Sequence, residues 1–555
     1  MDTTTQESPA GVLKKWGTLQ TELDHWRSLW ETNSLYFAPQ LDILKQNPRT
    51  PDATGFVGLY SAEGISVLDT YVNGIISELF PANEKWMLWV PQDDHETDDA
   101  ARKWYGRCSE LALTHVGRSN FYQTVKPTVT DMGLGGTGAF HVDRGKESLL
   151  RFGYCRLGTY AIQADSEGKI RTFFREKKWT PEQMVEAFGE EALGEKALKA
   201  LEKQRNGEAV PELTVIHAVF PRTQRNAKSI LPEDMPYASL YVCKEDANTL
   251  ETKGYETFPY AVIRAEMWND YDHGLAPATK SIPVMREINK MTRDLHEGAT
   301  MMVRPPVLIP EDMVEEVAYY PNGQTIYDPG TSQHKPEQWG LKNEYALGKD
   351  LLASMVATLR GFFHAALFEA VAQKEKTMTA REVAAIEGSA LRQFLPNFNQ
   401  MVSELQPTFQ QIFNVLFEAG VFPDPPESVR IPSRQEGYDE IPAPKVEFTS
   451  RLALALRLSE NAAIDRTLER LVLFAPIMPE ILENYNMDEL VRIASRNDGI
   501  PENIIELKKA VDEKRKARLE DEQQAAQLEQ LATAAKAGKD ADGIKNPAEL
   551  LSLAG

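Results

Sequence analysis

The first two apolar patterns along the chain both have the spacing of amphipathic helices. After Ser8 and Pro9, which suit a helix cap and first turn, large apolar residues recur at steps of three and four: Trp16, Leu19, Leu23, Trp26 and Trp30. A second stripe has the same spacing and stops before Pro81: Ile65, Leu68, Val72, Ile75 and Leu79. We therefore expect two long helices near the N-terminus, packed together through their apolar faces.

Between residues 139 and 268 the pattern changes to short apolar runs broken by glycine, which is typical of antiparallel strands. The runs begin at Ala139, Leu149, Ile170, Leu213 and Ser239. DSEG, from Asp165 to Gly168, predicts a hairpin turn. Thr180, Pro181 and Gln183 form a capping box with a first-turn proline, so we expect one helix between the strands. This region is predicted to be an α+β body.

Beyond Pro283 helical spacing returns. One face is formed by Met285, Ile288, Thr292, Leu295 and Ala299, and it runs into the breaker Pro305-Pro306. Residues 305–343 are rich in proline and glycine, and residues 345–363 are helical again. The pattern therefore predicts two helices that flank a small irregular insert.

The C-terminal part is predicted to be mostly helical. Thr379 and Glu382 form a capping box, and the helix that they begin is continued, or followed by another, with an apolar stripe of Phe398, Met401, Leu405, Phe409, Ile412 and Leu416. Gly420 and Pro423 close this pattern. A proline-rich segment over residues 423–444 precedes a last helical region, and the tail from Lys509 is expected to be an exposed helix. The fold class is α+β, predominantly helical.

Composition and charge narrow the function classes. The chain has 555 residues and 62.4 kDa, with 42% hydrophobic and 26% charged positions, which predicts a folded protein of several packed regions. Its formal net charge of −21 disfavours tight binding to phosphates, although an acidic wall would let DNA slide past. No secretion signal or membrane-spanning run is recognised.

Metal and cofactor sites are not indicated by the sequence. Cys108, Cys155 and Cys243 are far apart and odd in number, so we expect reduced core residues rather than disulfides or a metal knuckle. The nine histidines form no short ligand pair, and the acidic stretch around His95 lacks the ligand spacing of a calcium loop. We expect no bound metal and no cofactor.

The sharpest enzymatic pattern is a glycine cluster. Gly133, Gly135 and Gly138 satisfy GxGxxG, but a helical pattern precedes them and a strand follows, the reverse of a dinucleotide fold. Ala139 stands where a Walker A motif requires lysine. The cluster is interpreted as a helix-to-strand turn, and with no GxSxG elbow in the chain we expect a protein that is not an enzyme. A nucleotide-binding enzyme that uses this cluster is the competing hypothesis.

One charge pattern offers a candidate DNA contact. Arg286, Lys290 and Arg293 fall at steps of four and three beside the apolar face of their helix, forming what we call the basic stripe. It is either a solvated face paired with neighbouring carboxylates or, in a ring of subunits, a belt of charge that touches phosphates weakly. Lys374 and Lys376, before the Thr379 cap, carry the same two interpretations.

Several segments, in their order along the chain, resemble the podovirus head-to-tail connector family of short-tailed bacteriophages. They are WRSLW and YFAP in the first helix, SELFP followed by NEKWMLW, RSNFY leading to DMGLGGTGAFHV, GLAPATKSIPVMREINKM followed by VRPP, and KTMTAREV before a long helix. SRLALALR at Ser450 departs from the more usual SPLA form. The resemblance extends with gaps over most of the chain.

The resemblance implies a dodecameric portal ring whose subunit has an α/β wing, a two-helix stem, a clip and a helical crown. On this chain it assigns residues 1–280 to N-terminal helices and wing, 281–303 to the first stem helix, 304–344 to the clip, 345–363 to the second stem helix, 364–378 to a tunnel loop, 379–457 to a long wing helix with the proline-rich segment, and 458–555 to the crown and tail. Such a ring needs a heterologous interface whose rotation closes.

The resemblance also implies partners and a location. The ring would lie at one capsid vertex of the virion, after synthesis in the cytoplasm of the bacterial host, and pass double-stranded DNA during packaging and ejection. The clip would meet the large terminase and later the tail adaptor, the crown would face the capsid interior, and the major capsid and scaffolding proteins would be neighbours. Another virion structural protein, such as a tail adaptor or internal core protein, is the alternative.

Overall fold

The fold is taken from a computed structural model of the chain. It describes residues 7–40, 57–82, 84–92, 99–145, 148–226, 229, 231–303, 307–308, 337–338, 345–373, 380–432, 439–449, 464–471, 484–497, 504–506 and 508–541. Helices and strands are numbered below in chain order.

Two long helices open the chain, as the apolar spacing predicts. Helix α1 (Pro9–Phe37) begins where the Ser8 hydroxyl accepts the Gly11 amide at 3.1 Å, and α2 (Glu63–Leu79) ends before Pro81. With 29 residues, α1 is about 43 Å long, and it packs in turn on the larger sheet, between the two sheets and on the helical core. Helix α1 therefore contacts all three of these parts of the fold.

The middle of the chain forms two antiparallel sheets. The strands are β1 (Met87–Val90), β2 (Thr137–Arg144), β3 (Leu150–Cys155), β4 (Tyr160–Ala164), β5 (Ile170–Trp179), β6 (Leu213–Pro221), β7 (Tyr237–Cys243), β8 (Asn248–Tyr255) and β9 (Tyr260–Arg264). One sheet has the order β3-β2-β9 and the other β4-β5-β6-β7-β8. The predicted turn at Asp165 to Gly168 joins β4 and β5, with Gly168 at φ +78°.

The helical segment between β5 and β6 differs from the sequence expectation of a single helix. The Thr180 capping box starts α5 (Pro181–Phe188) as predicted, but a second helix, α6 (Glu195–Arg205), follows it. The Asp246 carboxylate, far away in the sequence, accepts the Lys196 and Ala197 amides at 2.8 and 2.9 Å. Because this partner of the α6 N-terminus is distant in the sequence, no sequence pattern near the helix predicts it.

The glycine cluster lies in a helix-to-strand turn, as the order of the flanking elements predicts. Helix α3 (Asp99–Arg118) leads to α4 (Phe121–Gly135), and Gly136 alone separates α4 from β2. Gly136 closes the helix in the left-handed conformation at φ +84°, with its amide on the Met132 carbonyl. A Cβ on Gly138 would sit 2.1 Å from the Thr128 carbonyl oxygen, so this glycine permits close packing of strand on helix.

A pair of helices, which we call the arm, follows the sheets. It consists of α7 (Pro277–Val303), β10 (Val307–Leu308), β11 (Glu337–Gln338) and α8 (Tyr345–Phe362), with β10 and β11 paired antiparallel. The residues expected to form the clip, 304–344, lie outside the described part of the chain except for these two short strands. The two predicted helices are therefore observed, with the clip residues between them.

The first arm helix begins earlier than residue 281, the start of the first stem helix that the family resemblance implies. It starts at Pro277 and continues through Pro283, which removes one backbone hydrogen bond from the helix interior. Ala278 and Ser281 are fully buried, and the Ser281 hydroxyl donates to the Pro277 carbonyl at 2.9 Å. Burial of this first turn stabilises the helix across the proline.

The segment expected to be a tunnel loop, residues 364–378, is mostly helix where the structure describes it. Helix α9 (Ala365–Gln373) follows a bend at His364, whose φ is +51°, and residues 374–378 lie outside the described part. Leu367 and Phe368 are buried, and the Phe368 ring lies against the Cα of Gly74. Apolar packing against α2 converts this expected loop into a helix.

The long helix after it is continuous, which decides between the two sequence interpretations. Helix α10 (Ala380–Glu418) has 39 residues and passes through Pro396 and Pro407. Thr379, the predicted cap, lies just outside the described residues. The predicted stripe forms the centre of the helical core, and Gly420, at φ +68°, follows the helix end.

Glu404 accepts hydrogen bonds from the backbone amide and Nε of Arg264 at 2.7 and 2.5 Å, fastening α10 to the sheet.

The proline-rich segment contains two short strands, and the last described residues are helical. Strands β12 (Ile431–Pro432) and β13 (Asp439–Glu440) pair with each other, and β14 (Lys445–Phe448) pairs with β1. Helices α11 (Met487–Asn497) and α12 (Lys508–Ala541) follow, and residues 512–531 of α12 are exposed, as predicted. None of the helices in the described ranges combines the length and apolar character needed to cross a membrane.

Candidate nucleic-acid interface

The arm has a buried root and an exposed tip. Met285 and Ile288 of α7 are fully buried in the same core as Leu359 and Phe363. The far ends of α7 and α8 carry large apolar side chains that are 46% to 81% exposed: Met301, Met302, Val303, Leu347 and Leu351. Apolar side chains concentrated at one end of a helix pair mark a surface that another chain can cover.

Polar side chains fix the root, and sequence reasoning missed them. The Asn289 side chain accepts the Tyr60 amide at 2.7 Å and donates to the Gly58 carbonyl at 3.1 Å. Asn33 of α1 donates to the Thr279 hydroxyl and to the Leu134 carbonyl, both at 2.8 Å. These amides hold α7 to segments that are distant in the sequence. The one local signal is an asparagine, Asn289, inside an otherwise amphipathic helix.

The basic stripe lies on the exposed side of α7. Arg286, Lys290 and Arg293 are all exposed, one helical turn apart. Arg293 Nε donates to Glu297 at 2.8 Å, and its guanidinium carbon lies 5.7 Å from the centre of the Tyr60 ring. The pairing with Glu297 is the one that the solvated-face interpretation expects.

The charge of this surface is balanced. From residue 286 to residue 303 the helix carries three cations, the basic stripe, and three carboxylates: Glu287, Asp294 and Glu297. A polyanion that passes this face meets alternating signs, so each contact is weak and screened by salt. Lys374 and Lys376 lie outside the described residues.

One group of buried side chains has the residue types of a hydrolytic site, but a substrate cannot reach it. His217 Nε2 lies 2.9 Å from the Ser239 hydroxyl, and its Nδ1 lies 2.5 Å from the Tyr260 hydroxyl. His217 and Ser239 are both 0% exposed, and burial holds the pKa of His217 well below its ordinary value. A nucleophile and base that no substrate can reach are core residues.

The three cysteines are likewise buried and free, as expected. Among the described residues no group of three or more metal-ligating side chains is assembled.

Comparison with known proteins adds to this geometry. Residues 10–505 match the family described as bacteriophage head to tail connecting protein. The chain is 26% identical, over 528 residues, to a probable portal protein of Bordetella phage BPP-1, covering 93% of this chain and 92% of that protein. It is 22% identical, over 516 residues, to the portal protein of Salmonella phage epsilon15, covering 89% and 88% of the two chains. The match includes both sheets, the arm and α10, and the chain belongs to the bacteriophage head-to-tail connecting protein family.

Proposed function

We infer that the chain is a phage portal protein, the subunit of a ring through which double-stranded DNA enters and leaves the capsid. The observation that carries this inference is the arm, a helix pair rooted in the core and apolar at its tip, in a chain of the head-to-tail connecting family. Both relatives bear the name portal protein, which favours this function over a tail adaptor or an internal core protein.

We propose a dodecameric ring in which neighbouring arms cover one another. Tip residues such as Met301 and Leu347, exposed by 48% and 62%, would then be buried between subunits. Burying this surface supports association, because each Å² of apolar area removed from water contributes about 25 cal/mol before the entropy of association is subtracted. The interface is heterologous and closes by rotation.

The proposed division of the subunit follows the elements. Residues 1–280 form the N-terminal helices and wing, the arm helices α7 and α8 form the stem, and residues 304–344 form the clip. Residues 379–457 form a long wing helix with the proline-rich segment, and residues 458–555 form the crown and tail. Residues 364–378 are proposed to face the tunnel, with α9 as their helical part.

We propose that the tunnel wall repels DNA overall and touches it weakly at defined levels. The net charge of −21 per subunit disfavours adhesion. Arg286, Lys290 and Arg293 would supply one belt of cations, and Lys374 and Lys376 a second. Twelve copies of a weak contact guide the duplex without holding it, because exposed ion pairs contribute about 1 kcal/mol or less each.

The proposed role is structural and needs no catalytic residue or cofactor. In this proposal the ring occupies one capsid vertex after assembly in the host cytoplasm, among major capsid and scaffolding proteins. The clip docks the large terminase during packaging and the tail adaptor afterwards. Energy for DNA movement comes from the terminase.

Heads purified before tail attachment test the proposal. A tag inserted in the clip, residues 304–344, which the proposal places outside the shell to dock the tail adaptor, should mark a single vertex of each head by immunogold labelling. Mass spectrometry of the same heads should detect the chain. A tail adaptor would be missing from such heads, and an internal core protein would give no single-vertex label in intact heads. Either of these results contradicts the portal assignment.

A further inference from the structure

A second surface feature lies in the wing, away from the arm. Helix α1 and the segment of residues 268–273 enclose an open pocket of about 540 Å³. Its walls include the aromatic rings of Trp26, Trp268 and Tyr271 and the aliphatic side chains of Leu19, Leu23 and Ile162. This volume lies in the range of sites that take a small ligand or a few side chains of a partner.

Three rings form a corner of this pocket. The centre of Trp26 lies 5.6 Å from that of Trp268 and 5.6 Å from that of Tyr271, and the last two centres are 5.5 Å apart. The interplanar angles are 77°, 89° and 71°, so the three ring planes are steeply inclined to one another. All three rings line the pocket, and an aromatic face carries a negative quadrupole that attracts a cation.

The corner is held in place before any ligand arrives. Asn269 adopts the left-handed conformation at φ +47°, and the Tyr271 amide donates to the Trp268 carbonyl at 3.0 Å, closing a tight turn. Asp272 accepts the Ala164 amide at 2.9 Å, tying the segment to β4. Trp26 stacks on Trp30, which is fully buried. A preorganised site loses less entropy on binding.

Carboxylates predominate among the charged groups that line the pocket, where His25 and His273 are the histidines. Glu22, Asp270 and Asp272 line the pocket, and none of its lining residues within the described chain is lysine or arginine. Burial, with the Arg264 guanidinium as a second cause, lowers the pKa of His273 to about 3, so this ring adds no positive charge at neutral pH. The acidic rim and the aromatic faces therefore select the same kind of ligand.

We propose that this pocket binds an arginine side chain presented by an apolar segment of another protein. The guanidinium stacks on the aromatic corner and pairs with the acidic rim, since a planar cation suits both contacts better than an ammonium does. The apolar wall from α1 takes the residues beside the arginine. The inference goes beyond the portal function and does not depend on it.

A pair of peptides tests the site. The full chain, labelled with 5-fluorotryptophan, is titrated with acetyl-Gly-Leu-Arg-Leu-Gly-amide and with the same peptide carrying neutral citrulline in place of arginine, and ¹⁹F resonances are followed. The arginine peptide should shift the Trp26 and Trp268 resonances and bind at least about tenfold more tightly than the citrulline peptide. Equal affinity for both peptides, or no shift of these two resonances, overturns the proposal.

Substitutions on the exposed rim locate the binding. Asp270→Asn removes one negative charge and Tyr271→Ala removes one aromatic ring, both at exposed positions, and each should weaken binding of the arginine peptide by about tenfold. Glu191→Gln, an equivalent loss of charge at an exposed position outside the pocket, should leave binding unchanged. If the assembled protein rejects the peptide and Tyr271→Ala lowers its native mass, the occupant is a second copy of this chain and the proposal fails.

Discussion

A single buried carboxyl group links the packing of α4 on β3 to pH. Asp131 of α4 is 3% exposed, and its Oδ2 accepts the Tyr154 hydroxyl at 2.7 Å and the Leu157 amide at 2.8 Å. Burial outweighs these hydrogen bonds and raises the pKa of Asp131 to about 7. Because this is above the value of about 3.9 for an unfolded aspartate, the group stabilises the fold fully at low pH, and the contribution is lost as pH rises through 7.

Asp131→Asn should remove this pH dependence, because the amide oxygen can accept both hydrogen bonds without carrying charge. Between about pH 5 and about pH 8.5, the free energy of unfolding of the variant should rise relative to that of the natural chain by on the order of 2 kcal/mol. Urea unfolding at the two pH values measures it. Asp424→Asn, at an exposed position, is the control. Parallel pH profiles for Asp131→Asn and the natural chain would contradict the assignment.

At the residue scale, the sequence predicts contacts between residues that lie within one helical turn of each other. The Ser8 and Thr180 caps were identified because cap and partner are three residues apart. The Asp246 carboxylate at the start of α6 and the Asn289 clamp on α7 were missed, since their partners are 49 to 50 and 228 to 231 residues away. No local pattern records such contacts.

At the element scale, the turn from α4 to β2 depends on Gly136. Its φ is +84°, and an added Cβ would sit 1.9 Å from the Gly274 carbonyl oxygen. Gly136→Ala should lower the free energy of unfolding by more than about 2 kcal/mol, because backbone strain and a backbone clash add. Thermal and urea unfolding measure the loss.

Gly17→Ala is the matched control for that substitution. Gly17 lies on the exposed side of α1 with nothing within 4 Å of an added Cβ, so alanine should stabilise the helix by up to about 1 kcal/mol. Equal effects of the two substitutions would show that the turn tolerates a side chain.

The second prediction at this scale concerns the basic stripe. Replacing Arg286, Lys290 and Arg293 together by glutamine should leave ring assembly intact and reduce the DNA that heads package or retain, on the order of twofold to tenfold, as expected for the loss of weak exposed contacts. Nuclease-protected genome copies per head measure the change. The exposed triple of α6, Lys196, Lys199 and Lys203, has similar spacing and serves as the control. Unchanged packaging and retention would leave the stripe as a solvated face.

Apolar spacing largely predicted where the helices lie, and two of the departures, the early start of α7 and helix α9, have their physical cause in tertiary packing. The early start of α7 requires the burial of Ala278 and Ser281 in the core, and α9 requires the fit of Phe368 against Gly74. Phe368 and Gly74 lie 294 residues apart along the chain. Tertiary packing therefore overrides a proline signal in one case and a loop-like composition in the other.

At the scale of the whole molecule, the arm tip should control assembly. Leu347→Asp together with Leu351→Asp places charges on a tip that is 62% and 46% exposed in the subunit, so folding should be unaffected. In the ring these charges would be desolvated against neighbouring apolar side chains, and subunit association should weaken by roughly a hundredfold or more. Sedimentation over a concentration series measures it. Leu231→Asp, at a position 53% exposed in the wing, is the control.

If the tip variant forms rings at the same protein concentrations as the natural chain, assembly uses another surface. The sequence suggested the helices of the arm but not the exposure of its tip, because apolar residues at helical spacing are indistinguishable from core residues until the partner elements are known.

Negative-stain electron microscopy of the purified chain, with native mass spectrometry of the same sample, tests the central claim most directly. The portal assignment predicts closed rings of about a dozen subunits around a central channel, with a mass near twelve times 62.4 kDa. Particles that remain monomers or dimers at high protein concentration, also with scaffolding protein present, would contradict it.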